Sequence, residues 1–151
     1  MKKTLLSIIA ITTIASQSFG QIEIYEDGGT TDYSGGEYFM SAYTPGEQHV
    51  DFLVTNSTGS DQTWVITRKR INEIATWSDY LCWGEFGSLG YCYGASQMGT
   101  NPWTTPTSDI VTIQDGNDGL LKIYITPELL DVDTDVTYRY YVGLDENTPV
   151  D

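Results

Sequence analysis

His49 is the only histidine of the chain, and Cys82 and Cys92 are its only cysteines, so the chemistry these side chains can support is narrow. Nucleophilic catalysis needs a base held against its nucleophile, yet His49 stands inside an alternating run and no GxSxG or comparable motif accompanies it. Glycoside hydrolysis needs two carboxyl groups ~5–9 Å apart. With 21 acidic residues some pair can always meet, so abundance carries no argument. Structural zinc takes four ligands, and the only soft ligand besides the two cysteines is His49. The spacing between the cysteines is not the C-x-x-C of a redox dithiol. These residues lead to the expectation that the chain is not an enzyme and has no catalytic residues.

Metal and cofactor signals are equally thin. Asp131-Val132-Asp133-Thr134-Asp135 opens like a calcium loop, but Val136 stands where glycine is required and Val142 where glutamate is required. The Asp115-Gly116-Asn117-Asp118-Gly119 stretch offers oxygens to calcium, although hairpin turns choose the same residues for their backbone geometry. The expectation is no metal and no cofactor, with calcium at this turn as the alternative. Asn56-Ser57-Thr58 matches the N-glycosylation sequon, which matters in a eukaryotic host and otherwise reads as a turn.

The ends and the charge of the chain place it. Met1-Lys2-Lys3, the apolar run from Leu5 to Ala15, and Ser18 and Gly20 at the −3 and −1 positions of a cut describe a secretory signal peptide over residues 1–20. That run is about half the ~20 residues needed to span a bilayer. No cysteine follows the cut, and no later segment is apolar enough to cross a membrane. The expected product begins at Gln21 and is secreted or on the cell surface. The whole chain has 21 acids against 7 bases, a net −14. Removing Lys2 and Lys3 with the leader leaves 21 against 5, a net −16. Phosphate contacts need clustered lysine and arginine, so nucleic acid is excluded as a partner, and basic attachment to a membrane surface fails for the same reason. In an exported chain the two cysteines read as one disulfide, Cys82 to Cys92. On the chain-entropy account so short a loop gains about 2–3 kcal/mol.

Around that clip sit Trp77, Tyr80, Trp83, Phe86, Tyr91, Tyr93 and Trp103 in a glycine-rich stretch. Trp83, Tyr91, Tyr93 and Trp103 are the candidate binding residues, because rings on a rigid loop stack on sugars or anchor an interface. The structural alternative is that they plug the end of a thin core.

The elements that must position these residues follow from a period-two apolar pattern broken by Gly, Asn, Asp, Ser and Pro. Strands are expected over 21–26, 49–55, 62–72, 109–114, 120–126 and 135–144, with a short aromatic strand or turn over 37–42. In 62–72 both faces become charged toward the end, as in a strand leaving a core for solvent, with the stem of Arg68 covering apolar surface. The Cys82–Cys92 segment reads as a clipped, protruding loop or hairpin. The missing helices exclude parallel α/β architecture. The expected fold is an all-β, immunoglobulin-like antiparallel sandwich of about seven strands in one domain, residues 21–151. One further strand is expected after residue 146 and is lacking, so the domain reads as C-terminally truncated, with an open edge beside Tyr138, Tyr140 and Val142.

The stretch Val50 to Ser57, the charged strand Val65 to Arg70, the loop Leu81-Cys82-Trp83-Gly84 with Tyr91-Cys92-Tyr93, and the late strand Arg139-Tyr140-Tyr141-Val142 together resemble a group of exported β-sandwich proteins of Bacteroidota. The resemblance covers about residues 22–146 and is one of pattern. It implies export and surface placement and no enzyme activity. Such proteins often carry a type IX secretion C-terminal sorting domain, which this sequence lacks. The functional expectation is a non-catalytic extracellular or cell-surface module with a structural or adhesive role toward a surface glycan or protein. The alternative is a carbohydrate-binding module using the aromatic residues of the clipped loop.

Overall fold

The computed structural model describes residues 21–40, 46–72, 77–88, 90–127 and 136–144, and among these there are strands and no helix. The strands are β1 (Gln21–Glu26), β2 (Gln48–Ser57), β3 (Gln62–Asn72), β4 (Ser78–Glu85), β5 (Tyr91–Tyr93), β6 (Trp103–Thr104), β7 (Val111–Ile113), β8 (Asp118–Thr126) and β9 (Thr137–Gly143). One antiparallel sheet runs β1-β2-β8-β4-β5, and the other gathers β6, β7 and β9 around β3. The two sheets face each other across one core, so the all-β sandwich of the sequence pattern is the fold. β2 pairs with β8 in the first sheet and β3 with β9 in the second, both antiparallel. The β4–β5 hairpin and the short β6 and β7 lie between these pairs in the chain.

Alternation builds the first sheet. In β2, Val50, Phe52, Val54 and Asn56 point inward while their neighbours are only partly covered. Opposite them β8 turns Leu121 and Ile123 inward. At Gly119 the strand passes beneath the Trp83 indole, and a Cβ there would come 2.3 Å from the indole Cη2. Trp83 also joins the sheets, since its indole N–H donates to the Trp64 carbonyl at 3.2 Å. A T-shaped trio of Tyr33, Tyr38 and Phe52 packs against the same core.

Several expectations change. Ser78–Glu85 is an eight-residue strand held between β8 and β5, so of the loop and hairpin alternatives the clipped segment is the hairpin, built into the first sheet. Its alternation was hidden because Cys82 and Gly84 are covered as well as Leu81 and Trp83. Arg68 does not shield apolar surface on its way to solvent. It is wholly buried, and five consecutive residues of β3, Trp64 to Arg68, are out of water. Residues 37–40 are not a strand, and residues 41 and 42 lie outside the described residues. The segment expected over 109–114 is a strand only at Val111–Ile113. The leader over residues 1–20, the Asp131–Asp135 stretch and the residues from 145 onward also lie outside the described residues.

Candidate functional site

The hairpin that carries the cysteines also carries the aromatic candidates. β4 and β5 pair Leu81 with Tyr93, Cys82 with Cys92 and Trp83 with Tyr91. Because successive residues point to opposite faces, the disulfide Cys82–Cys92 lies on the outer face and the rings turn inward. Trp83, Tyr93 and Trp103 are 1%, 3% and 7% exposed. Tyr93 and Trp103 pack with ring centroids 5.0 Å apart. Burial, helped by the Asp109 carboxylate, pushes the Tyr93 phenol up. These three rings are core, and none offers a face to a ligand. Tyr91, at the sheet edge, is 47% exposed.

Tyr91 borders a shallow open groove of about 450 Å³ between the end of the hairpin and β7, lined also by Gly84, Glu85, Gly90, Ile110 and Thr112. Ile110 is 54% exposed, and Phe86, next to Glu85, is also exposed. The groove depends on two glycines. A Cβ on Gly84 would come 2.5 Å from the Gly90 Cα, and Gly90 itself has a φ of 59°, a conformation side chains with a Cβ rarely adopt. The chain can therefore turn tightly there and leave room between the sheets. Apolar Tyr91 and Ile110 beside the Glu85 carboxylate suit a partner with an apolar anchor and basic neighbours.

Two other polar arrangements have different roles. Asp79 of β4 reaches across the core to β3, with Oδ2 2.9 Å from Arg68 Nε and Oδ1 3.1 Å from Arg70 Nη2. Arg68 donates a further bond to the Met98 carbonyl at 2.6 Å. Burial pulls the Arg68 guanidinium down and the Asp79 charge opposes this. The cluster ties the sheets together away from solvent. On the outer face of the first sheet, Tyr80 and Tyr124 stack at 4.3 Å and 6°, and His49 lies 5.6 Å from Tyr124. The stacked rings each use one face on the other. His49 stands in this ladder, exposed.

The turn considered for calcium is held by its own hydrogen bonds. Asp115 Oδ1 accepts from the Gly59 amide at 2.8 Å, and Asp118 Oδ1 accepts from the Thr55 hydroxyl at 2.6 Å. Among the described residues no group of three or more His, Cys, Asp or Glu side chains is placed to hold a metal ion. Asn56 of the sequon is fully buried. Its Nδ2 donates to the Ser60 and Ile113 carbonyls and its Oδ1 accepts from Thr58, so in the folded protein its side chain, at the end of β2, holds the turn that follows.

The sequence reading missed Ile110 and Asp79. Ile110 stands next to the inward-facing Val111 and Ile113, so its outward direction is legible once that register is known. Asp79 gave no local signal, because its partners are on another sheet. No known protein family, characterised protein or solved structure matches the chain.

Proposed function

We propose that the chain is a non-catalytic module of a secreted or cell-surface protein, with an adhesive role exercised through the Tyr91–Ile110 groove on a protein partner. The observation that carries this reading is the pair of large apolar side chains left in water at one rigid edge of the sandwich, around an open groove. Anchors of this kind supply much of the energy of protein interfaces. The signal-like leader and the disulfide support an oxidising, extracytoplasmic setting, and the resemblance to exported Bacteroidota sandwiches agrees with it. The carbohydrate reading is left with one ring, Tyr91, because Trp83, Tyr93 and Trp103 are buried.

Beads carrying the oxidised protein are expected to adhere to envelope fragments of the source cell. Tyr91→Ala combined with Ile110→Asp should cut that adhesion about tenfold or more, which corresponds to ~1.4 kcal/mol, with an unchanged far-UV circular dichroism spectrum. Adhesion untouched by the double variant would overturn the reading, as would steady turnover of a glycan or peptide substrate. Retention on a glycan array that is lost with Tyr91→Ala alone would favour the carbohydrate module instead.

A further inference from the structure

Cys92, Cys82, Lys122 and Asp51 stand in one row across the outer face of the first sheet, each directly opposite the next on β5, β4, β8 and β2. The two sulfurs of this row are not equivalent. Cys92 is exposed, on a three-residue strand at the edge of the sheet, whereas Cys82 is buried between β5 and β8. Lys122, the cross-strand neighbour of Cys82, is held by Asp51 with Nζ 2.7 Å from Oδ2. Directly opposed side chains of neighbouring strands are ~5 Å apart at Cβ, so the Lys122 side chain adjoins Cys82 and not Cys92, with its ammonium turned to Asp51 on β2.

We propose that Cys82–Cys92 is a thiol–disulfide exchange site with a fixed polarity, in which Cys92 is attacked and Cys82 is the leaving group, and that its reactant is a dithiol. An attacking thiolate approaches the side of a sulfur remote from the sulfur that leaves. For Cys92 that side faces the open edge of the sheet beyond β5. For Cys82 it faces β8 and the Lys122 side chain. Exchange depends on which sulfur an attacking thiolate can reach, and of the two only Cys92 is exposed.

The steps balance with the dithiol alone. One thiolate of the dithiol forms a bond to Cys92 Sγ, the Cys82–Cys92 bond breaks, and its electron pair stays on Cys82 Sγ. The second sulfur of the dithiol then attacks its partner sulfur in the mixed disulfide and releases Cys92 as a thiolate. The dithiol ends oxidised to a disulfide, the protein ends reduced, and the two thiolates take up the two protons that the dithiol gave. Reduction leaves β5 held by three residue pairs and by Tyr93 in the core, which loosens the strand that positions Tyr91. The exchange stands on its own geometry, and only its effect on adhesion rests on the groove reading.

The test uses the intact oxidised protein and a chemical readout, so it fails or succeeds independently of adhesion. Sulfite cleaves the disulfide and leaves a sulfonate on the attacked sulfur, and iodoacetamide then marks the leaving one. Peptide mass spectrometry should find sulfonate on Cys92 and the alkyl group on Cys82. Reduction by dithiothreitol under native conditions should scale with dithiol concentration. Sulfonate on Cys82 or divided evenly would overturn the polarity. Reduction that proceeds only when urea unfolds the protein would overturn the site itself.

Discussion

Asp79 is the residue on which the polar part of the core depends. It carries the charge that balances Arg68, and both side chains are fully buried. Removing one partner of a buried pair leaves a charge that neither water nor protein solvates, a loss of ~3–5 kcal/mol. Asp79→Ala is therefore expected to lower the unfolding free energy by about that amount in a urea titration. Replacing the pair together, as Arg68→Met with Asp79→Leu, should cost far less, because no fully buried charge is left without a partner and Arg70, which also pairs with Asp79, is partly exposed. Tyr80 gives the residue-scale pH dependence. Desolvation against its surroundings, then its bond to Glu47 at 2.9 Å and the charge of that carboxylate, push its phenol up to about 12. The unfolded phenol ionises near its ordinary value of 10.0. The contribution of Tyr80 is thus fully present below pH ~10 and is lost as the pH rises toward 12. Tyr80 being on the outer face, the effect is screened by solvent. Absorbance titration at alkaline pH should show several late-ionising tyrosines, Tyr93 and Tyr140 among them, and Tyr80→Phe should remove one of them, with the alkaline fall in stability reduced in that variant.

At the scale of elements, β4 decides the architecture. It sits between β8 and β5, sends Trp83 and Leu81 into the core, carries Asp79 toward β3, and holds Cys82 outward. Its indole needs a residue without Cβ beneath it, and β8 supplies Gly119. Gly119→Ala should therefore overpack the core and destabilise by ~1–3 kcal/mol, read as a lower urea midpoint. Alanine at Gly116, where a methyl would meet nothing within 4 Å but φ is 78°, strains the backbone without touching Trp83. The sequence reading recovered β1, β2, β3, β8 and β9 because their alternation is clean. It did not recover β4, where a cysteine and a glycine at outward positions are both covered and the period-two signal vanishes. Of the four aromatic candidates, composition alone could not separate Tyr91 from Trp83, Tyr93 and Trp103, since ring type says nothing about which side of a strand it leaves.

The whole molecule is governed by its charge. With a net −14, the compact state repels itself over distances set by the ionic strength. The Debye length falls from ~30 Å at about 0.01 M salt to ~8 Å at about 0.15 M. Raising sodium chloride across this range should therefore raise the urea midpoint. The partly exposed Lys122–Asp51 pair weakens in the same salt by ~1 kcal/mol at most, which is small against repulsion among so many carboxylates. A midpoint that falls with salt would show that specific ion pairs outweigh the net charge.

Composition and local order were enough to determine that the chain is all-β, that it is strongly acidic, where five of its strands run, and that its two cysteines would pair. Those properties depend on residue type and on period-two alternation, and both are local. The tertiary structure decided that the clipped segment is a hairpin built into the first sheet beside β8, that Arg68 is buried against Asp79, and that Tyr91 and Ile110 meet at one groove. These depend on which strands become neighbours across two sheets, and contacts between residues far apart in sequence leave no periodic trace in the segments that make them.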